Sequence, residues 1–313
     1  MLFATGAVLA AAVVSGQITW HELPPLPVGL AGGASALVGG GKILYAGGTT
    51  WIDGVKQWLR DVRVYDPGGK SWNSGPGLPE PLAYGGRIAT AGRLEILGGL
   101  NQNGPSRNCW RLDYDLGRWS KSGLLPQDGV LSRVERVGSA DYLFGGCSDA
   151  AVPMHCSSIV WKRDAGGKWI RAGEMPDGAI ALRASVVMDG RVYLFGGCSE
   201  GQGGVVNRDN AYGYNPATAQ WRKLSPLPVA VRGMSAASVR SGHILLAGGY
   251  QESGFTDDVW IYDAGLDRYQ RATPLPFPAS GIDLIANDGV ILALGGEDRM
   301  RSRSRRFIQG TMK

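Results

Sequence analysis

A glycine doublet recurs six times along the chain, each time directly after a short apolar run. The second glycines of successive doublets are 51, 47, 51, 52 and 47 residues apart. The six runs are LYAGG (44–48), EILGG (95–99), YLFGG (142–146), YLFGG (193–197), LLAGG (245–249) and LALGG (292–296). A period near 50 residues, kept through six copies, predicts that one structural unit is repeated six times.

The residues between the doublets predict the same short strands in each unit. After each of the first five doublets comes an aromatic residue in a predicted strand, a second aromatic five to eight residues later, and a Leu-Pro or Met-Pro turn. The first aromatics are Tyr65, Tyr114, Trp161, Tyr214 and Tyr262, and the second are Trp72, Trp119, Trp169, Trp221 and Tyr269. The chain has 49 glycines and 17 prolines, which leave little room for long helices. Each unit is therefore predicted to contain four short β-strands.

The two ends of the chain are predicted to share one unit. The sixth unit supplies three strands, SGIDLIAND, VILALGG and SRRFIQG. A strand with the expected Trp and Leu-Pro turn occurs instead near the other end, in ITWHELPPLP (18–27), which contains Trp20. Pairing the two ends removes the open strand edges that the array would otherwise present.

This pattern resembles the kelch repeat. The resemblance implies an all-β fold, a six-bladed kelch-type β-propeller whose last blade is closed by the N-terminal strand. The glycine doublets fit places where strands crowd near the propeller axis, and the paired aromatics fit the wedge between neighbouring blades. Residues 17–313 are expected to form this single propeller.

The first sixteen residues, MLFATGAVLAAAVVSG, are small and apolar. They are similar to a secretory signal and are too short to span a bilayer, so we expect a periplasmic or secreted protein without a membrane span. The alternative is an extra strand or a helical pad against the propeller.

The net charge gives weak support for nucleic-acid binding. The chain carries 32 Lys and Arg against 27 Asp and Glu, for a net charge of +5, and five of the arginines crowd into RMRSRSRRF (299–307). The rest of the chain is nearly neutral, so no nucleic-acid partner is expected. Within that segment, alternate arginines are predicted to share one face of a strand: Arg299, Arg301, Arg303 and Arg305.

The segments that follow the glycine doublets are predicted to gather at one mouth of the central channel. Loops carry function on a rigid scaffold, so their polar side chains are candidate ligand-binding groups. These candidates are Trp51, Lys56, Arg60, Asn101, Arg107, Asp149 and Gln251. The three histidines, His21, His155 and His243, occur at different blade positions without metal-ligand spacing, so no metal site is expected.

A closer resemblance is carried by the first blade, WHELPPLPVGLAGGASALVGGGKILYAGGTTWIDGVKQWLRDVRVYDP (20–67), by the loop of blade four and by the final GGE (295–297). Together they are similar to the N-acetylneuraminate epimerases, the sialic acid mutarotases. The resemblance implies an exported enzyme that interconverts the anomers of a free sugar, most simply sialic acid, without a cofactor. It also implies a catalytic Glu with an Arg some residues later, either Glu200 with Arg208 or Glu297 with Arg301.

Two functions from different classes remain open. In a mutarotase, a base removes the proton of the anomeric hydroxyl while an acid protonates the ring oxygen, and the open form closes again on its other face. A Glu suits the base, and an Arg suits the carboxylate of a sugar acid. The alternative is a non-catalytic kelch propeller that binds a glycan or a protein. The sequence does not specify an oligomeric state.

The four cysteines, Cys109, Cys147, Cys156 and Cys198, are candidates for disulfides. Cys147 and Cys198 directly follow glycine doublets, whereas Cys109 and Cys156 each lie five residues before the aromatic of a third strand. The favoured pairing joins consecutive blades, Cys109 with Cys147 and Cys156 with Cys198. A local Cys147–Cys156 loop and four reduced thiols are the alternatives.

Overall fold

The structure is a computed structural model, and it describes residues 16–90, 92–152 and 154–313. These residues form thirty β-strands and no α-helix. In chain order the strands are β1 (Ile18–Glu22), β2 (Ala34–Val38), β3 (Lys42–Ala46), β4 (Thr49–Ile52), β5 (Val55–Trp58), β6 (Val62–Asp66), β7 (Ser71–Ser74), β8 (Gly86–Thr90), β9 (Arg93–Asn101), β10 (Gly104–Asp113), β11 (Arg118–Leu124), β12 (Arg133–Val137), β13 (Ala140–Phe144), β14 (Ile159–Arg163), β15 (Trp169–Glu174), β16 (Ala184–Met188), β17 (Arg191–Phe195), β18 (Cys198–Gly201), β19 (Gly204–Asn207), β20 (Ala211–Asn215), β21 (Gln220–Lys223), β22 (Ser235–Arg240), β23 (His243–Ala247), β24 (Tyr250–Gln251), β25 (Gly254–Phe255), β26 (Val259–Asp263), β27 (Arg268–Arg271), β28 (Asp283–Asn287), β29 (Val290–Leu294) and β30 (Phe307–Met312).

Six four-stranded antiparallel sheets form the blades. Blades one to six have the strand orders β2-β3-β6-β7, β8-β9-β10-β11, β12-β13-β14-β15, β16-β17-β20-β21, β22-β23-β26-β27 and β28-β29-β30-β1. The first strand of each blade contacts the first strands of both neighbouring blades, and β28 of blade six contacts β2 of blade one. The blades therefore form a closed ring around a central axis, and the predicted six-bladed β-propeller is confirmed.

The last blade is closed by the N-terminal strand, as predicted. Strand β1 pairs antiparallel with β30, with Ile18 opposite Met312 and Trp20 opposite Gly310. Ile18 is buried in the cluster that joins blades five and six. A hydrogen bond from Ile18 N to Thr273 Oγ1, 2.9 Å long, also ties this strand to blade five.

The paired aromatics fill the wedges between blades. In blade one, the rings of Tyr65 and Trp72 lie 5.3 Å apart and pack against Phe307 of blade six, at centroid distances of 5.0 and 5.5 Å. The indole Nε1 of Trp72 donates 2.9 Å to the carbonyl of Pro24, in the Leu-Pro turn that follows β1. The pair in blade one thus combines apolar burial with a directed hydrogen bond to the blade before it.

A buried ion cluster joins blades two and three. Arg163, in β14, donates from Nη1 and Nη2 to the carboxylate of Glu95 in β9, at 2.8 Å each, and from Nε to Asp141 at 2.9 Å. The three side chains are 4 to 5% exposed. At the edge of the cluster Arg111 lies 3.6 Å from Glu95, and Arg136 donates to Asp141 at 2.6 Å.

The structure corrects the expectation for the arginine-rich segment. Strand β30 begins at Phe307, so the residues before it follow a turn and an irregular path rather than an alternating strand. Arg301 is exposed and has φ of 54°, whereas Arg303 is turned inward with a side chain 3% exposed. The predicted common face of alternate arginines is therefore wrong.

The remaining expectations concern a targeting segment and membrane spans. The predicted targeting segment falls on residues 1–15, outside the described residues, and on Gly16, whose carbonyl accepts from Thr273 N at 2.8 Å. Over the described ranges, no helix has the length and apolar character needed to cross a bilayer.

Candidate functional site

The mouth is the end of the channel where the first strand of each blade begins and the second strand ends in its glycine doublet. In every blade an isolated bridge pairs the residue directly after the doublet with the segment after the Leu-Pro or Met-Pro turn. The six bridges are Ala31–Thr49, Ala83–Leu100, Val130–Cys147, Ala181–Cys198, Arg232–Tyr250 and Ser280–Glu297. The predicted gathering of these segments at one end of the ring is confirmed.

The doublets are glycines because the chain passes too closely here for a side chain. Gly47 has φ of 66°, and a Cβ on it would lie 2.4 Å from the carbonyl oxygen of Leu82, in the segment that enters the next blade. The amide of Gly48 donates to that same carbonyl at 2.8 Å. The doublet therefore lets consecutive blades hydrogen-bond at the mouth through their backbones.

Six equivalent residues with left-handed backbone surround the mouth, two positions before the first strand of each blade. They are Gly32, Tyr84, Leu131, Leu182, Gly233 and Gly281, with φ between 54° and 72°. Backbone hydrogen bonds connect several of them directly across blades, including Tyr84 N to Gly32 O at 2.7 Å and Gly281 N to Gly233 O at 2.7 Å. Three non-glycine residues thus hold a conformation that costs roughly 1 kcal/mol or more each.

Arg303 organises one side of the mouth. Its Nε donates 3.0 Å to Thr49 Oγ1, its Nη2 donates 3.1 Å to the Tyr84 hydroxyl, and its Nη1 donates to the Glu297 carboxylate. The guanidinium also lies 6.0 Å from the ring centroid of Trp51. Blades one and six and the start of blade two therefore meet at this buried cation.

The structure does not bring together either predicted Glu–Arg pair. Glu200 is exposed, and its carboxylate accepts from the backbone N of Met154 in the loop of blade three. Arg208 instead donates to Ser199 Oγ, at 2.6 and 3.0 Å. Glu297 pairs with Arg303 rather than with the exposed Arg301. The catalytic roles of these four residues remain predictions.

The structure places the predicted ligand-binding residues in three kinds of surroundings. Trp51 and Lys56 adjoin the Arg303 side of the mouth, since the Lys56 ammonium lies 4.7 Å from the Tyr84 ring centroid. Arg60 is exposed. The others make local hydrogen bonds: Asn101 to Asn103 N, Arg107 to the Leu125 carbonyl, Asp149 to Ala150 N and Ala151 N, and Gln251 to Asp258. Their binding roles also remain predictions.

A second cluster of arginines lies at the boundary of blades four and five. Arg232 Nη1 donates 2.7 Å to Asn207 Oδ1, and its guanidinium lies 4.3 Å from the ring centroid of Tyr250. Burial raises the pKa of the neighbouring Cys198 thiol to about 11, although the charges of Arg232 and Arg208 both lower it. The backbone N of Val231 donates 3.1 Å to the Arg208 carbonyl, so Arg208 lies beside the segment that carries Arg232. Among the described residues, the side-chain hydrogen bonds of both arginines go to neutral groups.

The disulfide in the structure is the local one. Cys147 and Cys156 are bonded, and Cys109 and Cys198 are buried free thiols. The favoured pairing of Cys109 with Cys147 and of Cys156 with Cys198 is therefore wrong. Cys147 and Cys156 face each other across an antiparallel bridge of one loop, whereas Cys109 packs in the core between blades two and three.

Sequence reasoning missed several charged residues at the mouth and axis. Arg232 follows a Leu-Pro turn, whereas the candidates predicted from the sequence all follow glycine doublets. Four more charged residues lie in first strands whose other side chains are mostly small or apolar: Arg87, Arg133, Glu135 and Asp283. That contrast is the signal that would have found them. No group of three or more His, Cys, Asp and Glu within the described ranges is arranged to hold a metal ion.

Comparison with known proteins assigns the repeat. The family model described as "Kelch motif" matches residues 31–79 and 180–228, which fall on blades one and four. The chain carries kelch motifs. This kelch propeller is 26% identical over 237 residues to Kelch-like protein 35 of Mus musculus, covering 75% of the present chain and 38% of that protein.

Two further relatives match smaller parts of the kelch propeller. It is 30% identical over 95 residues to Kelch-like protein 40 of Xenopus tropicalis, covering 30% of this chain and 15% of that protein. It is 23% identical over 181 residues to N-acetylneuraminate epimerase 1 of Escherichia coli, covering 46% of this chain and 49% of that protein. The kelch propeller thus spans well under two thirds of the length of these relatives.

Proposed function

We propose that this kelch propeller is a non-catalytic binding protein whose mouth takes a carboxylate-bearing segment of another protein. The observation that carries the proposal is the pair of half-buried arginines, Arg208 and Arg232. Both are held in place by neutral partners, Ser199, Asn207 and the Tyr250 ring. A guanidinium that is already oriented but has no carboxylate partner within the described part of the chain suits bidentate recognition of an incoming carboxylate.

The rim of the mouth favours a protein ligand over a free sugar. The β4–β5 hairpin of blade one ends in Ile52 and Val55, which are 53% and 58% exposed, and the β18–β19 hairpin of blade four presents Val206, which is 42% exposed. Exposed aliphatic side chains around a polar centre are typical of protein interaction sites. A free sugar has little apolar surface to offer them. Several relatives, moreover, are named Kelch-like proteins.

A selection from a library of random twelve-residue peptides tests this proposal. Peptides retained by the protein should be enriched in Asp and Glu. A synthesised copy of a selected peptide should bind at least tenfold more weakly to Arg208→Ala and to Arg232→Ala, because each variant removes a charged contact. Arg191→Ala is the matched control, since Arg191 is exposed at the start of β17, at the opposite end of the ring. Peptides without acidic enrichment, or equal affinity for the Arg208→Ala/Arg232→Ala double variant, would exclude the proposal.

A second candidate function, a sugar mutarotase, rests on the Glu297–Arg303 pair at the mouth and on the relative named N-acetylneuraminate epimerase 1. Glu297 would remove the anomeric hydroxyl proton and return it to the ring oxygen, while Arg303 would hold the Glu297 carboxylate in place. NMR of freshly dissolved sialic acid measures anomer exchange directly. Catalysis should fall by ~10² or more in Glu297→Gln. Exchange at the uncatalysed rate with the parent protein would eliminate this candidate.

We also propose that the protein is exported to the periplasm or secreted. The Cys147–Cys156 disulfide supports this, because disulfides persist in oxidising compartments. Non-reducing peptide mapping of protein recovered from its native compartment provides the test. Reduced Cys147 and Cys156 would contradict an exported location.

A further inference from the structure

A cluster of charged side chains lies inside the ring, on the first strands of the blades. Arg87 (β8) donates from Nη1 to Ser35 Oγ at 2.9 Å and to the Asp283 carboxylate (β28). Arg133 (β12) donates from Nε to the backbone carbonyl of Arg183, and Glu135, two residues later, accepts from Ser185 Oγ at 2.5 Å. First strands of blades six, one, two, three and four therefore all contribute polar groups at the axis.

Arg133 differs from Arg87 in its partners. Its terminal Nη1 and Nη2 groups have no hydrogen-bonding partner among the described residues, and its only acceptor is a backbone carbonyl at Nε. Burial lowers the pKa of Arg133 and the charge of Arg87 lowers it further, whereas Glu135 and Asp283 raise it. The first strands of neighbouring blades contact one another, so Arg133 on β12 lies in the innermost ring of strands.

The free groups of Arg133 match a planar carboxylate. Burial raises the pKa of both Glu135 and Asp283, although Arg87 and Arg133 lower these values. The two oxygens of a planar monocarboxylate match the two Nη groups of Arg133. The acidic neighbours disfavour a phosphate dianion at the same place.

The mouth leaves a path to this cluster on one side. Tyr84, Leu131 and Leu182 place side chains around half of the rim, whereas the equivalent positions on the other half are Gly32, Gly233 and Gly281. A Cβ added to Gly281 would meet no atom within 4 Å, although its backbone φ of 62° matches that of the leucines. The ring of Tyr84 already lies against Gly32, and Ser280 lies against Gly233. The rim is therefore open at Gly281, above blade six.

We infer that the axial cluster of Arg87, Arg133, Glu135 and Asp283 is a binding site for a small monocarboxylate, with Arg133 as its recognition group. This site is separate from Arg208 and Arg232 and does not depend on the function proposed for them. A ligand would enter through the opening at Gly281.

Sodium acetate, at constant ionic strength adjusted with NaCl, is the probe. Saturation transfer from the protein to the acetate methyl group should rise to a plateau, with at least a tenfold higher Kd for Arg133→Met. The same loss is expected for Gly281→Leu, because a leucine at this position would cover the opening there, as Leu131 and Leu182 cover their own parts of the rim. Arg191→Met at the far end is the matched control and should bind acetate like the parent.

Circular dichroism of each variant shows whether it is folded, and Gly281→Leu decides the outcome if Arg133→Met is not. The inference is wrong if acetate shows no saturable transfer, or if folded Arg133→Met and Gly281→Leu bind it like the parent. Loss of acetate binding in Arg208→Ala/Arg232→Ala, with full binding in Arg133→Met, would place the carboxylate at the boundary of blades four and five instead. Failure of the peptide selection leaves this test unchanged, so the two proposals stand or fall separately.

Discussion

Replacing Arg163 with Met tests the ion cluster between blades two and three. Met keeps much of the length of the side chain but leaves Glu95 and Asp141, both 4% exposed, without their shared cation. Removing one partner of a buried ion pair typically destabilises a protein by about 3–5 kcal/mol. Glu95 keeps Ser122 at 2.6 Å and Arg111 at 3.6 Å, and Asp141 keeps Arg136. The expected loss is therefore near the lower limit, about 3 kcal/mol.

The pH dependence of that loss gives a second, independent measurement. Burial alone would raise the pKa of Glu95, but hydrogen bonds from Arg163 and Ser122 and the charges of Arg163 and Arg111 hold it below its ordinary value. A carboxyl whose pKa is lower in the folded state stabilises the fold above its unfolded-state pKa and loses that contribution as pH falls through the folded value. In Arg163→Met the same carboxyl is buried without this cation, so protonation relieves the cost. The deficit should be largest near neutral pH and shrink in acid.

Urea denaturation followed by tryptophan fluorescence and by circular dichroism measures the free energy of unfolding, provided that the two transitions coincide. Arg171→Met is the matched control in the same blade, because the Arg171–Glu174 pair is 56% and 54% exposed and should contribute less than about 1 kcal/mol. A deficit below about 1 kcal/mol for Arg163→Met, or one that stays constant between neutral and acidic pH, would refute the argument.

Two further predictions concern the disulfide and the closing strand. Replacing Cys147 and Cys156 together with Ser opens a loop with a sequence separation of 9; the free energy of unfolding should fall by about 2.5 kcal/mol, and an unchanged urea midpoint would speak against this contribution. Ile18→Ala removes a side chain that is 5% exposed between blades five and six, so the melting transition should reflect a loss of about 3 kcal/mol. Thr19→Ala, at the exposed neighbouring position of β1, should change stability by less than about 0.5 kcal/mol, and equal effects of the two substitutions would contradict the assigned register.

The fold could be predicted because its determinants repeat. Each glycine doublet and each aromatic pair occurs at the same place in successive units, so six weak signals support one another. The closure by β1 followed from Trp20 and its Leu-Pro turn, which supply the strand that the sixth unit lacks. The arginine-rich segment does not repeat elsewhere, and its path is determined by the burial of Arg303 against Thr49 and Tyr84, contacts between residues far apart in the chain.

The candidate site was harder to predict for the same reason. A mouth built from six loops gathers residues that are about 50 positions apart, so spacing within one loop does not show which side chains meet. Glu297 was recognised, yet its partner is Arg303, because the turn at Arg301 directs that side chain outward. The cysteines show the same limit. The two predicted disulfides joined cysteines at equivalent positions of consecutive blades. The disulfide in the structure instead joins Cys147 and Cys156, which oppose each other within one loop.

The pairing of β1 with β30 determines the order in which the molecule can be assembled. On the ribosome, Ile18 to Glu22 emerge before any other blade strand, but their partners, Ile308 to Met312, are synthesised after all the other blade strands. Blades one to five each contain strands that are contiguous in sequence and can form as the nascent chain lengthens, whereas blade six must wait. Contacts of such high sequence separation form slowly. Until β30 has been synthesised, the growing molecule is an open arc, with an unpaired strand at its leading end that is exposed to chaperones and to pairing with other chains.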